Sequence, residues 1–139
     1  MKNVLVLCTG NSCRSQMAHG YLNALQDRVA TIYSAGIETH GLNLGAVAIM
    51  KEDGIDITHH TSNNVAEYLD IEWDYIITVC DHAKENCPLI PSKNAKRIHY
   101  NFFDPSKVRG TEEEKHTAFL IARNEIKAFV NGFLGVLKT

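Results

Sequence analysis

Short apolar segments alternate along the chain with longer stretches in which apolar residues return every three or four positions. The first segment, Val4-Leu5-Val6-Leu7, is an unbroken apolar run, the mark of a strand covered on both faces. The pattern predicts strands at Asn3–Cys8, Thr31–Ala35, Tyr75–Val79 and Arg97–His99. It predicts helices at Arg14–Leu25, Leu44–Glu52, Ala66–Asp70 and within Glu112–Val136. In the last helix Phe119, Arg123, Ile126 and Val130 fall near helical spacing, enough to cover one face of a sheet. Gly36, Gly41 and Gly54 punctuate the connections. No repeat, linker or low-complexity tract interrupts this order, so a single domain over residues 1–139 is expected. Alternating strands and helices predict βαβ units, a parallel sheet and a small three-layer α/β domain. The loop after the first strand then lies at the carboxyl edge, where open α/β sheets hold ligands.

Composition narrows the function classes. The 139 residues are 45% hydrophobic and 22% charged, an ordinary balance for a globular domain. No apolar run approaches the roughly 20 residues that cross a bilayer, so no membrane association is expected. The N-terminus and its four-residue apolar run are too short for a signal-peptide core, which points to a cytoplasmic protein. A net charge of −2 without a basic run argues against nucleic acid as a partner and leaves anion capture to local groups. A monomer is expected. Four cysteines in a reducing compartment are read as catalytic or metal-binding rather than as a disulfide framework.

Cys8-Thr9-Gly10-Asn11-Ser12-Cys13-Arg14-Ser15 carries the strongest chemistry. A strand delivers Cys8 to a tight loop, and the helix opening at Arg14 aims its amides back at that loop. Such a loop can point several N–H donors at a tetrahedral oxyanion, and Arg14 can add a bidentate fork. The same positive environment favours the nucleophilic thiolate at Cys8, and Ser15 can donate to its sulfur. Gly10 and Asn11 are residue types that reach positive φ cheaply. Asn11 is expected to brace the loop through its side chain.

Cys80 follows the third strand and is expected at the same sheet edge as Cys8, with Cys87 seven residues further on and before Pro88. A helix between them, at about 1.5 Å per residue, would hold their Cα atoms about 10 Å apart. A disulfide wants about 7 Å or less, so a bridge needs that polar segment to unwind. Zinc held by Cys8, Cys13, Cys80 and Cys87 is the alternative, although neither pair has the short gap of structural sites. Asp104, before Pro105 and after Phe102-Phe103, reads either as a turn residue or as an acid whose pKa the aromatics raise by desolvation. Cys13 reads as a packing thiol. His59 and His60 read as loop residues, and no histidine pair has metal-ligand spacing.

The loop of cysteine, five residues, arginine and serine resembles the low-molecular-weight protein-tyrosine phosphatase superfamily. The longer string CTGNSCRSQMA from Cys8 to Ala18, the string YSAGIETHG from Tyr33 to Gly41, and Cys80 with Cys87 are similar, more narrowly, to thioredoxin-coupled arsenate reductases. The resemblance implies a four-stranded parallel sheet flanked by helices, arsenate as substrate, thioredoxin as external reductant and no resident cofactor or metal. Thr9, Gly10, Asn11, Ser12, Cys13 and Arg14 would bind the oxyanion. Cys8 would attack arsenic with Asp104 as acid, Cys80 would attack Cys8, and Cys87 would take over the disulfide for thioredoxin to reduce. The chain departs from the family where His19 and Asn63 replace acidic residues that hold a monovalent cation in some relatives. Ser106 and Lys107 replace the tyrosines usual in the phosphatases, which favours a small inorganic substrate. A phosphatase using Cys8, Arg14 and Asp104 alone, and a zinc or redox-sensing module, are the rival readings.

Overall fold

All four residues of the run Val4 to Leu7 are fully buried. Because side chains alternate across a strand, that burial requires layers on both faces of the sheet. The computed structural model describes residues 1–86 and 90–138, and the expected third redox cysteine, Cys87, lies outside them. Four strands, β1 (Lys2–Cys8), β2 (Ala30–Gly36), β3 (Tyr75–Thr78) and β4 (Lys96–His99), form one parallel sheet in the order β2-β1-β3-β4. Four helices connect and cover them: α1 (Arg14–Leu25), α2 (Leu44–Glu52), α3 (Asp81–Asn86) and α4 (Glu112–Leu137). The expected four-stranded parallel α/β fold is present.

The bounds of α1 and α2 are those the periodicity predicts. Two elements differ. The expected helix at Ala66–Asp70 is a single 3-10 turn, Val65–Tyr68, because Asn64 and Glu67 close a capping box one residue earlier. The segment after Cys80 contains α3, which no apolar periodicity announces. In α4 the buried stripe runs through Ala118, Ala122, Ile126, Val130, Phe133 and Leu137, whereas Arg123 sits beside it and donates to the Ile49 carbonyl at 3.0 Å. Small residues at the start of that stripe let α4 lie close to α1 and α2.

The sheet order places its switch point at β1, because the chain runs from β1 to β2 on one side and then crosses to β3 on the other. Register puts Leu7 opposite Ala35 and Thr78, and Cys8 opposite Gly36. Gly36 is held by proximity: a Cβ there would meet Asn11 N and Thr9 O, each at 2.7 Å. The end of β2 is therefore pressed directly against the loop that follows β1.

Candidate active site

Strand β1 ends at Cys8 and α1 begins at Arg14, leaving a tight loop between them. Its carbonyls turn outward. Those of Cys8, Thr9, Gly10 and Ser12 accept from the amides of Ile37 (3.3 Å), Glu38 (3.0 Å), His40 (3.0 Å) and Asn43 (3.0 Å). The Asn11 carbonyl accepts from Gln16 Nε2 at 2.9 Å. Among the described residues no acceptor meets the amides of Gly10 through Arg14. Helix α1 adds to this donor surplus, since its N-cap makes no side-chain hydrogen bond and its first turn holds no acid. Buried amides without acceptors mark a place for an anion.

Asn11 makes the shape possible. It sits at φ 47°, in the left-handed region, and is completely buried. Its amide donates to Ser15 Oγ at 2.9 Å, and its Oδ1 accepts from Asn63 N at 2.8 Å. The expected bracing role is therefore visible, and Asn63 is a partner that the sequence did not reveal. Gly10 does not use a positive φ. Its lack of a side chain admits the His40 imidazole instead. Ser15 Oγ accepts from Asn11, and a bond from Ser15 to the Cys8 sulfur is absent among the described residues.

Arg14 is nearly buried. Its Nη1 donates to the Phe102 carbonyl at 3.0 Å, and its Nη2 lies 3.5 Å from Asp104 Oδ2. Its buried Nε has no hydrogen-bond partner among the described residues. An orphaned guanidinium donor beside unpartnered amides suits a tetrahedral oxyanion.

The second cysteine meets the first. Val79 pairs with Leu7 just beyond the β3 ladder (2.9 Å), which carries Cys80 into the cavity that Cys8 lines. Thr9 Oγ1 lies 3.2 Å from the Cys80 sulfur, and Ala83 N donates to that sulfur at 3.4 Å from the first turn of α3. The pair titrates as a unit. The bond from Cys8, then those from Thr9 and the Ala83 amide and the Arg14 charge, outweigh burial and bring Cys80 down from 9.0 to about 5. Cys8 is pushed upward, first by its bond to Cys80 and then by burial. Arg14 and the Thr9 amide act the other way and favour the Cys8 anion. Cys13 is raised to about 12 by burial and by the Asp104 charge, in keeping with a packing thiol.

Asp104 reaches the site, but without the apolar enclosure predicted for it. Phe102 turns into the core against Phe129, and Phe103 is half exposed. The carboxylate faces Arg14 and accepts from Ser106 N (3.0 Å) and Ser106 Oγ (2.6 Å), capping a 3-10 turn at Pro105–Lys107. The turn reading of Asp-Pro thus holds. Cys8, Cys80, Arg14 and Asp104 line one cavity of about 510 Å³, together with Ser12, His40 and His82.

Contacts that sequence reading missed hold α3 at this edge. His99 Nε2 meets Asp81 Oδ1 at 2.6 Å, Thr78 Oγ1 meets His99 Nδ1 at 2.7 Å, and Asp81 N donates to Asn101 at 3.1 Å. Only the facing registers of β3 and β4, which pair Thr78 with His99, could have suggested them. His19 is half-buried near Ser34 (2.8 Å) and His60 (ring centroids 4.4 Å), and desolvation lowers it to about 3.

A four-stranded parallel sheet ending in a cysteine–arginine oxyanion loop defines the cysteine-loop phosphatase class of α/β domain. The chain belongs to the low molecular weight phosphotyrosine protein phosphatase family, whose model matches residues 3–128. Within that family it is 46% identical over 132 residues to an arsenate reductase of Halalkalibacterium halodurans, covering 95% of this chain and 94% of that one. Among solved structures it resembles an arsenate reductase in the phosphate binding state, with a TM-score of 0.81, 27% identity and 99% of each chain covered. It also resembles an arsenate reductase in the oxidized state, with a TM-score of 0.84, 26% identity and 99% of each chain covered.

Proposed function

We propose that this protein reduces arsenate to arsenite with electrons from its own cysteines and is restored by thioredoxin. The observation that carries the reading is the placing of Cys8 and Cys80 in one cavity, beside a loop whose amides and Arg14 Nε have no acceptor among the described residues. Arsenate fits that loop as a tetrahedral oxyanion. Thr9 through Arg14 supply its donors, and Arg14 holds two of its oxygens.

The pair shares one proton and one negative charge. As arsenate enters, the proton passes from Cys8 to Cys80, and the Cys8 thiolate, facing Arg14 and the loop donors, attacks arsenic. Asp104 protonates the departing hydroxide, which leaves as water. Cys80 thiolate then attacks the Cys8 sulfur. The sulfur–arsenic bond breaks with its electron pair on arsenic, which drops from the pentavalent to the trivalent state and leaves as arsenite. Two thiols have become the Cys8–Cys80 disulfide. Cys87 attacks Cys80, frees Cys8, and leaves a Cys80–Cys87 disulfide for thioredoxin, at roughly −270 mV, to reduce. Helix α3, which separates the two, has to open for that transfer. No resident metal or cofactor is required, since sulfur supplies both electrons.

The tests separate this from hydrolysis of a phosphate ester. Wild type is expected to release arsenite repeatedly with thioredoxin, and Cys87→Ser to release about one equivalent and stop. Repeated turnover by Cys87→Ser with thioredoxin overturns the relay. Vigorous aryl-phosphate hydrolysis that survives Cys80→Ser, without arsenite production by wild type, makes the protein a phosphatase.

A further inference from the structure

We infer that His82 accepts the Cys80 proton through the Thr9 hydroxyl, and so releases Cys80 for its attack on Cys8; the inference rests on the proposed cysteine relay. Thr9 Oγ1 stands between the two groups, 3.2 Å from the Cys80 sulfur and 3.2 Å from His82 Nδ1. His82 is exposed on the first turn of α3 and lines the same cavity as Cys8. The three groups form a hydrogen-bonded path from a buried sulfur to solvent.

The relay creates the need for such a path. Once Cys8 is bonded to arsenic, the single proton of the pair lies on Cys80. Cys8 can then no longer donate, and that donation is the largest influence favouring the Cys80 anion in the resting protein. Thr9, the Ala83 amide and Arg14 remain, but a thiol must still lose its proton before it attacks. Cys80 gives its proton to Thr9 Oγ1, and the Thr9 hydroxyl proton moves to neutral His82 Nδ1. The result is a Cys80 thiolate, an intact Thr9 hydroxyl and an imidazolium whose Nε2 proton passes to solvent. No oxidant or reductant is consumed. His82 acts through Thr9 and is a positioning residue for the proton; it does not touch arsenic.

Asp81 precedes His82 on α3, and Arg14, Asp104, His40, Lys107 and the Cys8 sulfur line the same cavity.

The experiment measures single-turnover arsenite release in a Cys87→Ser background, which isolates the Cys8–Cys80 step. His82→Ala is expected to slow release about tenfold or more, and added imidazole to restore much of the loss. Thr9→Val is expected to be comparably slow and indifferent to imidazole, because the path itself is cut. In wild type the rate falls with pH as the imidazole becomes protonated, and His82→Ala loses that inflection. A His82→Ala rate within twofold of the parent, or a slow rate that imidazole leaves unchanged, overturns the inference. Failure of the His82-intact parent to release arsenite overturns the relay itself, a separate result.

Discussion

Replacing Asn11 by alanine tests whether the oxyanion loop is held open by one buried side chain. Three terms follow from the structure. Alanine at φ 47° carries a left-handed backbone cost of about 1–2 kcal/mol. The Asn63 amide loses its acceptor at 2.8 Å, and an enclosed orphan N–H costs about 1–3 kcal/mol, with half-burial favouring the lower part of that range. Ser15 Oγ also loses its donor, but a hydroxyl can reorient. Asn11→Ala is therefore expected to destabilise the protein by about 2–4 kcal/mol. Asn11→Gly removes the backbone strain at an entropy cost of about 0.5–1 kcal/mol, so it ends above alanine by about 0.5–1 kcal/mol. Urea denaturation of the reduced proteins reads both differences, and arsenite release reads the consequence. Activity is expected to fall further than stability in both variants, because a loop that flickers shut loses aligned donors before the sheet unfolds. An alanine variant as stable as wild type, or more stable than glycine, refutes the reasoning.

Three other outcomes are expected. Gly36→Ala drives a Cβ into the Thr9 and Asn11 backbone and will cost about 2 kcal/mol or more, seen as a lower urea midpoint with loss of arsenate turnover. Thiolate absorbance of the reduced protein will rise with a midpoint near pH 5, and Cys8→Ser will move that midpoint upward by removing the strongest support of the Cys80 anion. A midpoint near the ordinary thiol range in wild type contradicts the pairing. His19 has a folded pKa lowered from 6.5 to about 3, so its stabilisation is complete above 6.5 and is lost as pH falls toward 3. His19→Gln will therefore flatten the stability curve between those limits, measured as thermal midpoint against pH.

The parts of this protein that are legible in its sequence are those whose physics is local. An apolar run, a helix start and a cysteine–arginine spacing occupy one segment, so β1, the loop and α1 were readable together. The bounds of α2 followed from an apolar stripe capped by Asn43. Helix α3 was not readable, because its six residues are mostly polar and tertiary bonds to His99, Asn101 and Thr9 hold it in place. The shared titration of the sulfur pair was not readable for a related reason. A loop and a helix start argue for a Cys8 anion, but Cys80, arriving from β3, brings donors of its own. Asp104 was found and its surroundings were not, since the inward packing of Phe102 depends on Phe129 in α4. Topology put Cys8 and Cys80 on one margin; the bonds between them required side chains.

The most direct measurement is a thiol titration of fully reduced protein after one equivalent of arsenate, without thioredoxin, with arsenite quantified in the same sample. Of the four thiols present, two are expected to disappear as one equivalent of arsenite forms, and Cys80→Ser is expected to abolish arsenite formation. Four thiols surviving beside unreduced arsenate would contradict electron transfer from sulfur to arsenic.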